Sequence, residues 1–513
     1  MSKSIGSLTT AALLLLLLGV SSASSFDGIP SRRETSSLQL VSALVDKDST
    51  RLSPKAASRI ARDIPRGGAT RPPRTVAVTR KQAPVVPTKA SSTSSSGGKA
   101  SLLTSIFNLS NNVAGAGILT LAAGKATGTG WVPSVVICVT LAFCSAHTFS
   151  LIGKACEMTG ETTFKGLWSR AIGEKTSWIV DTMVFMNTFC VSIIYTGLLG
   201  DIFSALLKTT NLPSALISRN SIILIVASCI LLPLNLIRDL SALGFTSILG
   251  LVAVLYTVFF IVVRALDGTY ALEPVGKFVA EGLITLPSFE KSTWFNFDLN
   301  SLVLMSNLGL AFIAHYNGPS YWKSLENATS ERFTKVALRA YTVLALIYVT
   351  TMVAGYSTFG DVCQGNILLN YSASDILSTL GRLATGFSII FGFPLISNGC
   401  REGFKNASSA LGMKAISDPQ NHAKLVTCLL IVTTTLSIFL TDIKLIAGLS
   451  GATMGSALVY ICPTLIYSKI VGQLKGKDSA EYRAARRNQL FIPFGLFTAC
   501  MGVTMTLKNT VFS

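Results

Sequence analysis

Residues 107–121 read Phe107-Asn108-Leu109-Ser110-Asn111-Asn112-Val113-Ala114-Gly115-Ala116-Gly117-Ile118-Leu119-Thr120-Leu121 and open the first long apolar segment of the chain. A helix that faces lipid would carry Leu and Val where this stretch has three Asn, one Ser and two Gly. Each Gly costs about 1 kcal/mol in a helix interior, and a buried Asn amide needs hydrogen-bond partners. Because backbone leaves the helical form at membrane depth only inside protein or beside a cavity, the stretch predicts a broken span at a substrate site. The alternative is a small-residue face for helix packing.

The composition is that of a polytopic membrane protein. Of the 513 residues, 50% are hydrophobic and 13% are charged, whereas a soluble domain has about 25% charged residues. The net charge of +18 comes from an N-terminal tail and short loops, and no nucleic-acid fold signature accompanies it. The ten Cys and three His have no metal-ligand spacing, and no catalytic constellation is present. We therefore expect no nucleic-acid partner, metal, cofactor or enzymatic activity.

The N-terminal region predicts targeting rather than a fold. Residues 1–25 resemble a signal peptide, with Lys3 before a short apolar core and small residues after it; the alternative is an uncleaved signal anchor. Residues 26–100 are basic, rich in Ser and Pro and poor in acids, which predicts a disordered tail. The same composition is typical of a plastid transit peptide. The membrane domain is expected over 101–507.

The apolar segments predict an all-α protein with about eleven transmembrane helices. They centre on 101–123, 131–153, 177–207, 220–237, 243–264, 299–322, 336–359, 376–398, 424–441, 443–468 and 488–507. The even-numbered connections carry more Lys and Arg, so the positive-inside rule places them on the cytosolic side and the C-terminus opposite. A cleaved signal peptide would leave the new N-terminus in the lumen and so reverse this orientation. Import into a plastid would reconcile a cleaved leader with the orientation that the positive-inside rule gives.

A second broken span is predicted near residues 306–319, where Gly318-Pro319 ends a helix locally. His315, Tyr316 and Asn317 bring polar groups into this segment. An ionisable residue inside a span is a candidate functional group, and His changes charge near neutral pH. His315 is therefore a candidate proton site; the alternative is a packing histidine.

The two breaks fall in the first and the sixth span, as expected for two five-span repeats of inverted topology with a site between them. Half-helix N-termini offer free N–H groups to a carboxylate, and freed carbonyls suit an ammonium group or a cation. A zwitterion matches such a cavity, although the match alone does not identify an amino acid.

Five segments together resemble the amino acid/auxin permease family. They are 101–121, Ala311-Phe312-Ile313-Ala314-His315-Tyr316-Asn317, Gly355-Tyr356-Ser357-Thr358-Phe359-Gly360, Gly365-Asn366-Ile367-Leu368-Leu369-Asn370-Tyr371 with Asp375 and Arg382, and Gly448 to Pro463. The resemblance covers about 101–507. It implies a LeuT/APC-like five-plus-five inverted repeat plus one further helix, and secondary active transport of amino acids by alternating access, coupled to H⁺ or Na⁺.

The resemblance also implies site residues. Asn111 matches the family's first-span Asn that binds cation and substrate. Substrate contacts are further expected from Ala114, Gly115, Ala116, Gly117, Ile118, Ala314, Tyr316 and Asn317. For the coupling ion the candidates are Asn111, His315 and Ser388. Sodium-coupled members have Ser/Thr hydroxyls in the eighth span, and one hydroxyl is missing beside Ser388, which favours protons.

Other interpretations remain open from the sequence. The chain could be an amino acid sensor that binds substrate with little flux, whereas a membrane enzyme and a channel lack the residue patterns that they need. Asn187 and Tyr195 face either the cavity or a neighbouring helix. We expect Asp201 to be solvated, and Arg264 and Arg382 to extend toward water at the outer interface. We expect a monomer in a vacuolar or other endomembrane or in a plastid envelope, with the plasma membrane as a further alternative.

Overall fold

The computed structural model describes residues 98–208, 210–237, 244–283, 285–410, 412–413, 416 and 418–511. The predicted signal peptide (1–25) and all but the end of the predicted disordered tail (26–100) lie outside these residues. Residues 98–100 are described, and Ala100 pairs with the chain after the sixth span: its N–H donates to the Ser324 carbonyl (3.0 Å), and its carbonyl accepts from Glu326 (2.9 Å). Residues just before the predicted boundary at 101 therefore pack against the membrane domain.

The described residues contain nine helices that are long and apolar enough to cross a membrane, and one bent helix pair that makes a tenth crossing. The bent first span consists of Leu102–Val113, a 3₁₀ turn Ala116–Thr120 and Leu121–Lys125. The other spans are the second, Trp131–Thr159; the third, Ser177–Leu207; the fourth, Arg219–Val226 continued by Ala227–Leu231 and Leu232–Leu236; the fifth, Gly244–Leu266; the seventh, Ser330–Phe359; the eighth, Ile376–Ala410; the ninth, His422–Phe439; the tenth, Ile443–Ser450 continued by Gly451–Ile461 and Cys462–Lys475; and the eleventh, Phe491–Val511.

The predicted sixth span is a pair of short helices, Ser301–Ala311 and Gly318–Ser324, joined through the 3₁₀ turn His315–Asn317. Neither helix is long enough to cross a bilayer alone, since a crossing needs about 20 residues. Counted as one interrupted crossing, the pair completes the predicted set of eleven. The prediction of an all-α polytopic membrane protein is confirmed.

Helix packing follows the predicted repeat. The most extensive contacts join the third span to the eighth and the second to the seventh. Each pair has the same position in the two five-span halves, which is the arrangement expected of an inverted repeat around a pseudo-two-fold axis. The broken first span packs mainly against the seventh span, and the broken sixth span packs against the second, tenth and eleventh.

Glycine allows the sixth and tenth spans to cross at backbone contact. A Cβ atom added to Gly309 would lie 2.9 Å from the carbonyl oxygen of Gly451, and one added to Gly451 would overlap the Ser306 carbonyl. Small residues at such crossings let helices approach closely in membranes. This contact fixes the sixth-span break against the tenth span.

Charged groups on the outer side, opposite the predicted cytosolic face, are paired rather than extended toward water. Arg264 makes two hydrogen bonds to the buried Asp375 (2.9 and 2.6 Å). Arg382 is 2% exposed and donates to the carbonyls of residues 368, 371 and 372. Asp201 pairs with Arg219 at 2.6 Å. The expectations that Asp201 is solvated and that Arg264 and Arg382 extend toward water were therefore wrong. The segment before the eighth span supplies the partners of both arginines, and Arg219, at the start of the fourth span, pairs with Asp201.

The crossing of the sixth and tenth spans gives a stability prediction. Gly451→Ala places a methyl group against the Ser306 carbonyl, and we expect a loss of about 1–3 kcal/mol from overpacking, measured as a lower Tm in detergent. Gly392→Ala in the eighth span is the matched control, because its nearest neighbour would be a Tyr195 ring carbon at 4.0 Å. The control should keep or slightly raise the Tm; equal Tm values for both variants would contradict the prediction.

Candidate functional site

The first span breaks where the sequence predicts. The helix Leu102–Val113 ends, Ala114 takes φ −72° and ψ 58°, and Gly115 is extended with φ −96° and ψ −153°. The chain then re-enters helix at Ala116, and the two helical parts meet at 50°. The break leaves backbone carbonyls at the end of one half-helix and N–H groups at the start of the next without intrahelical partners.

The sixth-span break lies against the first. The chain leaves the helix after Ala311, Ala314 takes φ −144° and ψ 2°, and the Asn317 N–H closes the following turn on the Ala314 carbonyl at 2.9 Å. A Cβ atom added to Gly117 would lie 3.0 Å from the Cα of Ala311. The two breaks are therefore in direct contact.

A tyrosine of the seventh span joins both breaks. The hydroxyl oxygen of Tyr348 lies 2.8 Å from the carbonyl oxygen of Val113 and 2.8 Å from that of Ala311, the last residues of the two interrupted helices. About two turns earlier along the same helix, Tyr341 donates to the Phe312 carbonyl at 3.1 Å. The seventh span thus supplies the donors for carbonyls that the breaks release.

A central cavity of about 60 Å³ lies between the breaks. Its walls come from both broken spans and from the third, eighth and tenth spans, and they include Asn112, Gly115, Gly117, Thr120, Asn187, Val191, Tyr195, Ile313, Tyr316, Ile396 and Ala447. None of the residues that line it is Asp, Glu, Lys, Arg or His. The cavity offers hydrogen bonds from side chains and freed backbone, but no formal charge.

Two further cavities adjoin the central one, since Gly115 and Tyr195 line all three. The Asn111 cavity, about 70 Å³, also contacts Asn112, Gly250 and Ser388. The Thr257 cavity, about 30 Å³, is lined by Ala114, Ile118, Thr257, Thr385 and Ser388 among others. Both lie between the first, fifth and eighth spans.

Neutral oxygen atoms converge on these two cavities. A Cβ atom added to Gly250 would lie 3.3 Å from both Asn111 Oδ1 and Ser388 Oγ. The hydroxyl of Thr385, one helical turn before Ser388, lies 2.9 Å from that of Thr257. Thr385 therefore supplies the second eighth-span hydroxyl that the sequence analysis regarded as missing.

His315 occupies a different environment. It is fully buried, and its Nε2 lies 3.1 Å from the Ser145 carbonyl and 3.0 Å from the Thr148 hydroxyl of the second span. Since a carbonyl only accepts, Nε2 carries the proton. Nδ1 then has no partner among the described residues, so protonation would bury an unpaired N–H. This geometry favours the alternative of a packing histidine over a proton site.

The predicted site residues separate into two groups. Those that line one or more of the three cavities are Asn111, Ala114, Gly115, Gly117, Ile118, Tyr316 and Ser388. The backbone of Ala116 begins the helix after the first break, while Ala314 and Asn317 shape the second break without lining these cavities. The sequence analysis did not name Thr257, Thr385 or Tyr348; hydroxyl residues within apolar runs were the available signal.

Comparison with known proteins places these features in a family. A sequence profile described as "Transmembrane amino acid transporter protein" matches residues 98–508. A Rattus norvegicus protein, named as a candidate sodium-coupled neutral amino acid transporter, is 25% identical over 80% of this chain and 86% of its own length. A vacuolar amino acid transporter of Schizosaccharomyces pombe is 24% identical over 72% of this chain and 84% of its own. The inward-facing structure of Mhp1 shares the fold, with a TM-score of 0.50 and 12% identity over 81% of this chain and 92% of that one.

The close approach at the first break can be tested by a rescue experiment. A Cβ atom at residue 115 would lie 2.6 Å from the Tyr195 hydroxyl oxygen, whereas the next nearest atom, Tyr195 Cζ, is 3.8 Å away. Gly115→Ala should therefore lower the Tm in detergent, and adding Tyr195→Phe should restore most of the loss because the clashing oxygen is removed. If the double variant is no more stable than Gly115→Ala, the hydroxyl is not what the glycine accommodates.

Removing the Tyr348 hydroxyl tests the link between the breaks. Tyr348→Phe leaves the carbonyls of Val113 and Ala311 without this donor, and we expect a loss of about 1–3 kcal/mol, seen as a lower Tm. Tyr256→Phe is the control, because its hydroxyl bonds the Leu377 carbonyl (3.2 Å), which already lies within the eighth helix. A smaller loss for Tyr348→Phe than for the control would refute the assignment.

Proposed function

Because this chain belongs to the family of transmembrane amino acid transporters, we propose that it is a secondary active transporter that moves neutral amino acids together with a monovalent cation. Membership confirms the resemblance identified from the motifs and makes the chain a multi-pass membrane protein of amino acid transport. Substrate selectivity, the coupling ion and alternating access are the parts proposed here.

The observation that carries the proposal is the uncharged central cavity between two broken spans. The half-helix that begins at Ala116 presents its N-terminus, and hence partial positive charge, to a substrate carboxylate. Carbonyl oxygens at the end of the preceding half-helix suit the ammonium group. A charged side chain would be desolvated there without a counter-ion, which costs several kcal/mol. The cavity therefore favours a zwitterion whose side chain is uncharged, in agreement with the name of the rat relative.

The donor set supports sodium as the coupling ion. Asn111, Ser388, Thr385 and Thr257 offer neutral oxygen atoms beside backbone released by the first break, which is the kind of site that holds Na⁺ in transporters of this architecture. Proton coupling needs a group that titrates near neutral pH, and Tyr195 is the one titratable residue that lines these two cavities. Thr385 offers a second eighth-span hydroxyl beside Ser388, which supports the proposal of Na⁺ over H⁺.

We place the transporter in an endomembrane, as the name of the Schizosaccharomyces pombe relative suggests; a plastid envelope is the alternative raised by the leader. We further propose that it acts as a monomer.

Uptake into proteoliposomes tests the proposal directly. Radiolabelled alanine should accumulate under an imposed sodium gradient at constant pH, and it should not accumulate under a pH gradient without sodium. Asn111→Ala and Ser388→Ala should each raise the sodium concentration for half-maximal uptake roughly tenfold or more, because each removes an oxygen that binds a charge. The control is Ser228→Ala, since that hydroxyl bonds its own helix on an exposed face of the fourth span.

The other outcomes separate the competing functions. Uptake driven by the pH gradient alone would replace sodium by protons. Saturable binding of alanine with no flux under either gradient would identify a sensor. Equal effects of Ser388→Ala and Ser228→Ala would remove Ser388 from the ion site.

A further inference from the structure

Asn187, a polar residue on one face of the third span, has no role in the site described so far. Asn187, Val191 and Tyr195 are spaced by four residues, so they lie on the same face of the helix, and all three line the central cavity. Asn187 is 3% exposed, and its Oδ1 has no hydrogen-bond partner among the described residues. A buried amide oxygen that the protein leaves unpaired lies at the wall of the cavity.

The buried amide oxygen of Asn187 is expected to accept a hydrogen bond. Buried polar side chains are paired in the large majority of cases, and an unpaired one destabilises the fold. The apolar residues Val191, Ile313 and Ile396 line the same cavity and provide no side-chain hydrogen bond. A ligand in the cavity is therefore the natural source of the missing hydrogen bond.

The position of Asn187 indicates which part of a ligand it meets. Tyr195 contacts Gly115 at the first break, where the proposed function places the carboxylate and ammonium groups of the substrate. Asn187 lines the same small cavity as Gly115 and Tyr195. A substrate whose charged groups lie at the first break would therefore have its side chain beside Asn187.

We propose that Asn187 recognises the substrate side chain, and that the preferred substrates are uncharged amino acids with a short side chain that ends in a hydroxyl or a carboxamide. A carboxamide both donates and accepts, so Asn187 can pair with either group. An aliphatic side chain would leave the amide unpaired, and sites built to hydrogen-bond a substrate discriminate strongly against such analogues. The cavity is small, about 60 Å³, and this favours serine, threonine and asparagine over aromatic residues. This inference rests on the proposed function and adds its selectivity.

The test compares the uptake of serine and asparagine with that of alanine and valine in proteoliposomes. The wild-type protein should show the higher kcat/KM for serine and asparagine. Asn187→Leu should lower kcat/KM for these two about tenfold or more while changing that for alanine by less than about threefold. The matched control is Asn235→Leu, because Asn235 is also a buried amide without a partner among the described residues but does not line the central cavity. The control should leave the ratio between the two substrate classes unchanged.

The outcomes are distinct. An equal loss for all four substrates in Asn187→Leu would show a structural role, and an unchanged ratio would show that water satisfies the amide; both overturn the proposal. If Asn187→Leu fails to fold, Asn187→Ser keeps a hydrogen-bonding group, and the proposal then requires that it retain more selectivity for serine over valine than Asn187→Ala. Absence of uptake of every amino acid by the wild-type protein would instead reject the proposed transport function.

Discussion

The hydroxyl of Tyr348 holds together the two interruptions on which the site depends. An interrupted helix at membrane depth exposes carbonyls that water cannot reach, and each must find a donor within the protein. Tyr348 lies within hydrogen-bonding distance of the last carbonyl of both interrupted helices, so one side chain stabilises both breaks and fixes the distance between them. Two broken helices can persist in one bilayer because the seventh span brings a hydrogen-bond donor to the carbonyl that ends each interrupted helix.

None of the residues that line the three cavities carries a formal charge. Lys125, at the end of the first span, is fully buried, yet it is compensated: its Nζ lies 3.5 Å from the ring centroid of Tyr356, 4.1 Å from that of Trp131, and donates to the Thr129 carbonyl at 3.2 Å. Cation–π contacts of this kind offset part of the cost of desolvation. The midplane is left with amides, hydroxyls and backbone. A site of this composition can take and release a zwitterion repeatedly, because it does not trap a charged ligand in a permanent ion pair.

The sequence predicted the features that depend on local chemistry. The glycines at 115 and 117 identified the first break, because glycine disfavours a helix interior. Gly318-Pro319 indicated the second break, but the expectation that the pair ends a helix was wrong: it begins the helix Gly318–Ser324, where proline fits the first turn. Features that depend on pairs of distant residues were not predictable. Thr385 can be recognised only from its contact with Thr257 on another span. Tyr348 can be recognised only from its hydrogen bonds to carbonyls more than thirty residues away. His315 looked like a proton site from its type and position, and only the contacts of its Nε2 with the second span indicate packing.

The shared walls of the three cavities explain how an ion and a substrate would be coupled without a long relay. Gly115 and Tyr195 line the central cavity and both neighbouring cavities, so a cation beside Asn111 and a zwitterion between the breaks would contact the same few atoms of released backbone. An ion that orders this backbone removes part of the entropy that the substrate would otherwise have to overcome, and linkage requires the substrate to strengthen ion binding by the same factor. Ion binding and substrate binding would then both depend on the extended conformation at Gly115. Because a side chain at this position would displace the Tyr195 hydroxyl, the absence of a Cβ atom is as important to coupling as any group that binds.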